Sequence, residues 1–334
     1  MLDHEGPIAV AVSGGGDSLA LMHLLRSFAC AAKRKPPVVL TVDHGLRKES
    51  ARHAKQVVAW AKQAGLKAHL LAWRGAKPKS GVEAAAREAR YRLMGAWLAK
   101  HKITTLFVGH TIDDQAETFL LRLARGSGLD GLAAMRARAP WPVPGFADLA
   151  VARPLLGLGR EALRAHLTAL GQAWLDDPMN DDAAFDRVKI RKAQDALAGA
   201  GLTPARIAAA AAHLARARES LEIVTAAVLA RAARPSDKGI LLDPDALVAA
   251  PREVGLRALA GVLMAASGQA YRPRFESLER LFDQIAGGRL GAGATLHGCY
   301  IRPAGKAGKD LAPFRLLVAA ENPRKTGGSA NPRA

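Results

Sequence analysis

Through the first half of the chain short β-rich runs alternate strictly with longer helical patterns, and this alternation leaves few folds open. Residues 8–12, 38–42, 68–73 and 104–108 read as strands, with a fifth near 151–155. Between them 17–30, 50–65, 81–101 and 113–125 carry apolar residues at spacings of three and four and read as helices. Strand, helix and strand in succession require crossover connections. The expected fold class is therefore α/β, a doubly wound, mostly parallel sheet of five strands with helices on both faces.

The second half changes character. One long Ala-rich helical pattern runs over 202–233, and further helices are expected over 251–267 and 273–286. After Gly287 the chain turns to glycine-rich turns and two short β-like runs, 294–301 and 314–318. This pattern predicts a smaller, mainly helical C-terminal module. The stretch ALAGAGLTP places its boundary near 196–203, with domains expected over 1–198 and 199–320 and a disordered tail over 321–334.

Charge constrains the partner. The chain carries a formal charge of +18, and the excess is spread along it: 29 basic against 19 acidic side chains over 1–199, and 19 against 11 beyond. Such a surface attracts polyanions, nucleic acid first among them. The two cysteines, Cys30 and Cys299, form no Cys-x-x-Cys pair, so neither a disulfide framework nor a zinc ribbon is indicated, and both are expected to be buried. The chain shows no charged-then-apolar secretory start and no apolar run of about 18 residues, so a cytoplasmic protein with no membrane partner is expected.

The first strand stops in SGGGDS, residues Ser13 to Ser18, where the first helix begins. Gly14, Gly15 and Gly16 expose backbone N–H groups at a helix N-terminus with no side chains in the way, which is a phosphate cradle. Ser13 and Ser18 can add hydroxyl donors. Neither common alternative fits: no lysine occurs between Met1 and Arg26, as a Walker loop would need, and Asp17 and Leu19 stand where a dinucleotide loop would need glycine. Asp17 would repel a bare polyphosphate, so its presence makes most sense with Mg²⁺ between them. After the fourth strand, Asp113 and Glu117 are four apart and Asp114 and Glu117 three apart, so a helix crowds them onto one face where a cation is required. A substrate ammonium or Mg²⁺ would supply it; a solvated acidic first turn, favoured by the helix dipole, is the structural alternative.

SGGGDS after a strand resembles the pyrophosphate loop of the N-type ATP pyrophosphatases, which cleave ATP to AMP and pyrophosphate while adenylating a substrate oxygen. VDHGLR (42–47), EAAAREARYRLM (83–94), GHTIDDQAETFLLRLARGSGLDGLAAM (109–135) and DDPMNDDAAFDRVKIR (176–191) follow in order. Together, over roughly 7–195, they resemble the tRNA(Ile)-lysidine synthetase family within that superfamily. The resemblance implies an adenine-nucleotide-hydrolase-like fold with strand order 3-2-1-4-5 and ATP with Mg²⁺ as cofactors. It implies a ligase that joins free L-lysine to C2 of the wobble cytidine in a CAU-anticodon tRNA(Ile) through an adenylated base. ATP contacts are expected from Ser13, Gly14, Gly15, Gly16, Asp17, Ser18, Asp43, His44 and Arg87, with Arg90 nearby and Asp17 on the metal. His110, Asp113, Asp114 and Glu117 are expected in catalysis or lysine binding, with Asp114 or Glu117 orienting or deprotonating the amine. Arg122, Arg125, Arg187, Lys189 and Arg191 are expected to face tRNA. Each has a plainer reading: Arg87 lies four residues after Glu83 and can pair with it, and cations near a helix C-terminus suit its dipole.

The chain departs from the family pattern at Met179, at Arg187-Val188-Lys189 and at His297 in GATLHGC, which bears on tRNA contacts rather than on adenylation. The C-terminal module is expected to grip tRNA, to contact a second copy in a homodimer, or both. Two rivals stand beside this reading. A 2-thiocytidine-type tRNA thiolase needs cysteine or iron–sulfur chemistry that two distant cysteines do not suggest. A non-catalytic RNA-binding protein with a relict nucleotide fold would have little reason to hold crowded carboxylates.

Overall fold

The first strand, β1 (Ala9–Ala11), divides its surroundings between two cores: Ile8, Val10 and Val12 join one apolar cluster and Ala9 the other, as the two-residue period of a strand demands. The computed structural model describes residues 6–176, 186–269, 271–305 and 312–321. Residues 177–185, with Met179, the side chain of Arg187 and the expected tail beyond 321 lie outside the described residues.

The chain forms two units, 1–215 and 216–334. In the first, β1 leads into α1 (Gly16–Ala31), then β2 (Val38–Asp43), α2 (Ser50–Gln63), β3 (Ala68–Ala72), α3 (Val82–Lys100), β4 (Thr105–Phe107) and α4 (Ile112–Ala124). There follow α5 (Leu129–Leu132), β5 (Arg138–Pro140), β6 (Ala150–Ala152), α6 (Arg160–Ala169), α7 (Asp186–Lys192), α8 (Gln194–Gly199) and the long α9 (Pro204–Ala232). The sheet has six strands in the order β3-β2-β1-β4-β6-β5. All neighbours are parallel except β5, which runs antiparallel to β6. The five parallel strands therefore keep the expected order, and the expected count is corrected by an edge strand. Arg138-Ala139-Pro140 has no apolar alternation and becomes a strand only by pairing with β6.

Leu19, Leu21, Met22 and Leu25 of α1, Val57 and Ala61 of α2, and Leu163 and Leu167 of α6 cover one face of the sheet. Tyr91, Met94 and Leu98 of α3 cover the other. Burial on both faces is what a parallel sheet requires. The order reverses between β1 and β4, the switch point at which such sheets leave a crevice beyond the strand carboxyl ends. α1, α4 and α6 all begin at that end.

The units divide between Ala215 and Arg216, within α9 and beyond the Gly- and Pro-containing stretch at 196–204. The opening turns of α9 belong to the first unit because Ile207 and Ala211 are buried and the Ala211 carbonyl accepts from the Ala134 N–H at 2.9 Å.

After α9 the second unit comprises β7 (Ala233–Ser236), β8 (Gly239–Leu242), α10 (Pro244–Val248), α11 (Arg252–Ser267), α12 (Phe275–Ala286), β9 (Ala294–Leu296), β10 (Cys299–Pro303) and β11 (Leu316–Ala320). Its five strands form an antiparallel sheet, β7-β8-β11-β10-β9, larger than the two short β-like runs expected, beside helices that still make up most of the module's regular structure. β7, Ala-Arg-Pro-Ser, is an edge strand whose residues carry no strand pattern of their own. Leu259 and Leu263 of α11, Leu278, Phe282 and Ile285 of α12, and Ile301 and Val318 of the sheet form the core. Cys299 is buried there, whereas Cys30 is exposed, against expectation, on the outer side of α1. Among the described residues no helix is long and apolar enough to cross a membrane.

Candidate active site

The glycine loop closes on itself through serine. The Ser13 N–H donates to Ser18 Oγ at 3.2 Å, and Ser18 Oγ donates to the Gly15 carbonyl at 2.9 Å. Ser18 thus shapes the loop, and the hydroxyl of the exposed Ser13 lies 3.2 Å from Ser18 Oγ, within hydrogen-bonding distance. Gly15 caps α1 without any side-chain hydrogen bond, so the first N–H groups of α1 meet no capping side chain. Gly14 has φ +97°, and a Cβ there would lie 2.6 Å from Leu175 Cδ1. Gly109, just after β4, packs against the loop: a Cβ would sit 2.8 Å from the Asp17 carbonyl oxygen and 3.1 Å from Ser18 Cα.

That close approach brings α4 beside α1. α4 starts with a capping box in which the Thr111 side chain accepts from the Asp114 N–H and Asp114 Oδ2 accepts from the Thr111 N–H at 2.8 Å. The cation that the crowded carboxylates require is one the sequence reading missed. Arg160, first residue of α6, donates through Nε to Asp17 Oδ2 at 3.0 Å, through Nη1 to Glu117 Oε1 at 2.7 Å and through Nη2 to Asp114 Oδ1 at 2.7 Å. Its backbone N–H donates to Asp113 Oδ2 at 2.8 Å. Arg191 of α7, expected to face tRNA, donates through Nε to Glu117 Oε1 at 2.7 Å and through Nη2 to Oε2 at 3.3 Å. Burial opposes the charge of Arg160, yet Asp114, Glu117 and Asp17 outweigh it and raise its pKa. For Asp17 burial dominates and raises the pKa, against the lowering effect of Arg160. A signal for Arg160 existed: an arginine in a first helical turn opposes the helix dipole, and this turn lies at the strand end shared by α1 and α4.

Beside the loop opens a cavity of about 700 Å³, lined by Ser13, Ser18, His44, Arg90, Tyr91 and His110 among others. Of the expected nucleotide residues, Asp43 closes a turn: its Oδ1 accepts from Ser50 Oγ at 2.5 Å and from the Gly45 N–H at 2.9 Å, and the Ser50 bond leads in lowering its pKa. Arg90 lines the cavity, whereas Arg87 is exposed, with its guanidinium 5.1 Å from the Tyr91 ring centroid. His44 stands edge-on to Trp73, and its Nδ1 has no hydrogen-bond partner among the described residues. Burial first, and then Arg90, lower its pKa from 6.5 to about 4. Between those values the unfolded chain binds a proton that the folded chain does not, so stability is full above pH 6.5 and falls as pH drops toward 4. Urea titrations of wild type and His44→Asn across this window are expected to show a shallower decline in the variant.

Arg122 and Arg125 are exposed at the end of α4, where Arg122 Nη1 donates to the Gly131 carbonyl at 2.6 Å. Lys189 is exposed on α7. The structure therefore gathers Asp17, Asp113, Asp114 and Glu117 into one cluster, sets His44 and His110 on the adjoining cavity, and leaves Arg87, Arg122, Arg125 and Lys189 at the surface.

A family profile described as a PP-loop domain matches residues 3–194. The tRNA(Ile)-lysidine synthase of Methylobacterium sp. (strain 4-46) is 42% identical over 328 residues, covering 96% of this chain and 90% of that protein. The chain belongs to the tRNA(Ile)-lysidine synthase family. A second relative of that name, from Ruegeria pomeroyi, is 39% identical over 300 residues, 90% of this chain and 69% of its own length. The U34-tRNA thiolase NcsA from Methanococcus maripaludis, solved with its 4Fe-4S cluster, superposes with a TM-score of 0.52 at 16% identity, over 64% of this chain and 73% of its own, and shows a shared fold. As a member of the synthase family the chain is an ATP-using ligase, and its glycine loop, acidic cluster and cavity all lie within the matched PP-loop domain.

Proposed function

We propose that the chain ligates free L-lysine to C2 of the wobble cytidine in a CAU-anticodon tRNA(Ile), through an adenylated cytidine. The observation that carries this reading is the convergence, at one end of one sheet, of a phosphate loop, a cavity of about 700 Å³ and a carboxylate cluster. In the first step the cytidine O2 attacks the α-phosphorus of ATP and pyrophosphate leaves. In the second the lysine ε-amine attacks C2, AMP departs with the oxygen, and the amine proton passes to a carboxylate.

The chain's own groups serve both steps. The N–H groups at the start of α1 face the phosphates, and the cavity walls hold the nucleotide. Asp113, Asp114 and Glu117 draw the lysine ammonium to the site, and Asp114 or Glu117 takes the proton whose loss frees the amine lone pair for attack. The anticodon base must leave its stack to arrive, as unpaired loop bases do. Asp17 fits a magnesium role: Oδ2 is taken by Arg160 while Oδ1 accepts no hydrogen bond among the described residues, and a single carboxylate beside phosphate oxygens is a donor set Mg²⁺ uses. When bound there, Mg²⁺ would neutralise charge on the departing pyrophosphate. Arg122, Arg125 and Lys189, exposed beside the cluster's helices, suit tRNA phosphates, as does the basic excess of 19 against 11 beyond residue 199.

The test is incorporation of labelled lysine into CAU-anticodon transcripts with ATP and Mg²⁺. Wild type is expected to give acid-stable label that requires ATP, and Asp17→Ala to lose it by about 100-fold or more, the scale of removing one preorganised charge from a phosphoryl-transfer site. Unlabelled tRNA from a wild-type protein that binds both ATP and tRNA would overturn the reading.

A further inference from the structure

The cluster contains a cation that the proposed reaction does not consume. Arg160 places its three guanidinium nitrogens on three different carboxylates, those of Asp17, Asp114 and Glu117, at 2.7–3.0 Å, and its backbone N–H on a fourth, Asp113, at 2.8 Å. An arginine whose purpose is one strong ion pair usually forks onto a single carboxylate. Spreading the fork over three fixes where those carboxylates stand relative to one another. The residue's position does not serve its own helix, since a cation in the first turn of α6 faces the positive end of the dipole.

Two further observations make the arrangement a template. The Glu117 side chain is 1% exposed and held from a second side by Arg191 Nε at 2.7 Å, so it has no freedom to reorient. Among the described residues the four carboxylates outnumber the two guanidinium groups that hold them, so by their formal charge the cluster still attracts a cation. Asp17 belongs to the phosphate loop and Asp114 and Glu117 to α4, so Arg160 bridges the nucleotide side and the amine side of the site.

We propose that Arg160 is a positioning residue for the amine substrate: it holds Asp114 and Glu117 at the spacing that admits the lysine ammonium and ties that spacing to the phosphate loop. This rests on the lysine ligation proposed above.

The experiment compares full-length wild type, Arg160→Lys and Arg160→Gln in ATP-dependent labelling of a CAU-anticodon transcript, varying lysine and ATP in turn. With three charge-assisted bonds lost, the KM for lysine in Arg160→Gln is expected to rise about 10-fold or more, while the KM for ATP moves less than about 3-fold. Arg160→Lys keeps the charge without the fork and is expected to fall between the two. A lysine KM within about 2-fold of wild type in the variants, or lysine and ATP parameters worsening together with the melting temperature, would overturn the positioning role. If Arg160→Gln does not fold, Arg160→Lys is judged on the same two constants. A wild type that labels no tRNA overturns the ligation reading and this inference with it, whereas an active wild type with indifferent variants overturns this inference alone.

Discussion

Glu117→Gln is expected to lower the unfolding free energy by about 3–5 kcal/mol, the cost of leaving buried charges without their partner. Glu117 is the most enclosed member of the cluster, at 1% exposure, and both its oxygens accept from guanidinium groups. Glutamine preserves the volume but offers those groups a neutral oxygen and turns an amide N–H₂ toward a cation. Arg160 and Arg191 retain 21% and 29% exposure, so water relieves part of the loss and the lower end of the range is expected. Because Glu117 joins α4 to α6 and α7, the effect reaches beyond one side chain, and a melting temperature lower by roughly 6–15 °C follows for a unit of this size. Urea and thermal denaturation check it. A change under about 1 kcal/mol would mean that solvent screens the cluster and that its arginines do not hold these helices together.

Gly109→Ala is expected to reduce tRNA-dependent pyrophosphate release by about 100-fold, a far larger effect than one methyl group suggests. The new Cβ would lie 2.8 Å from the Asp17 carbonyl oxygen and 3.1 Å from Ser18 Cα, both backbone atoms with no rotamer to escape into. Either the end of β4 or the phosphate loop must move, and a shift of about 1 Å in reacting groups costs on that scale. Stability should fall less, by about 1–3 kcal/mol, as overpacking does. Gly157→Ala is the control, since nothing stands within 4 Å of the added atom. Equal activity in the two variants would show that the contact between Gly109 and the loop does not set the site.

Much of this site was legible in the chain. The run from Ser13 to Ser18 declares a strand, a turn and a helix start by residue type alone, and the strand order implied by the family resemblance places its neighbours at the carboxyl ends of the strands. Asp113, Asp114 and Glu117 announce a missing cation by their spacing. What could not be read was which cation answers them. Arg160 lies 43 residues beyond Glu117, and Arg191 lies 74 beyond it, and nothing local to either residue names its partner. The same limit hid β5 and β7, whose residues Arg138-Ala139-Pro140 and Ala233-Arg234-Pro235-Ser236 lack a strand pattern and take that shape from the neighbour they pair with.

Local periodicity and residue chemistry therefore determined the mostly parallel α/β class, the phosphate loop and the acidic start of α4, because each depends on contacts between residues near in sequence or on the handedness of a crossover, whereas the order β3-β2-β1-β4-β6 was expected only from the family resemblance. Only the tertiary structure decided that Ser18 closes the loop, that Arg90 rather than Arg87 lines the cavity, and that Arg160 and Arg191 converge on Glu117. Those are meetings between distant segments, and the direction of a long charged side chain is set by the carboxylates that folding brings within its reach.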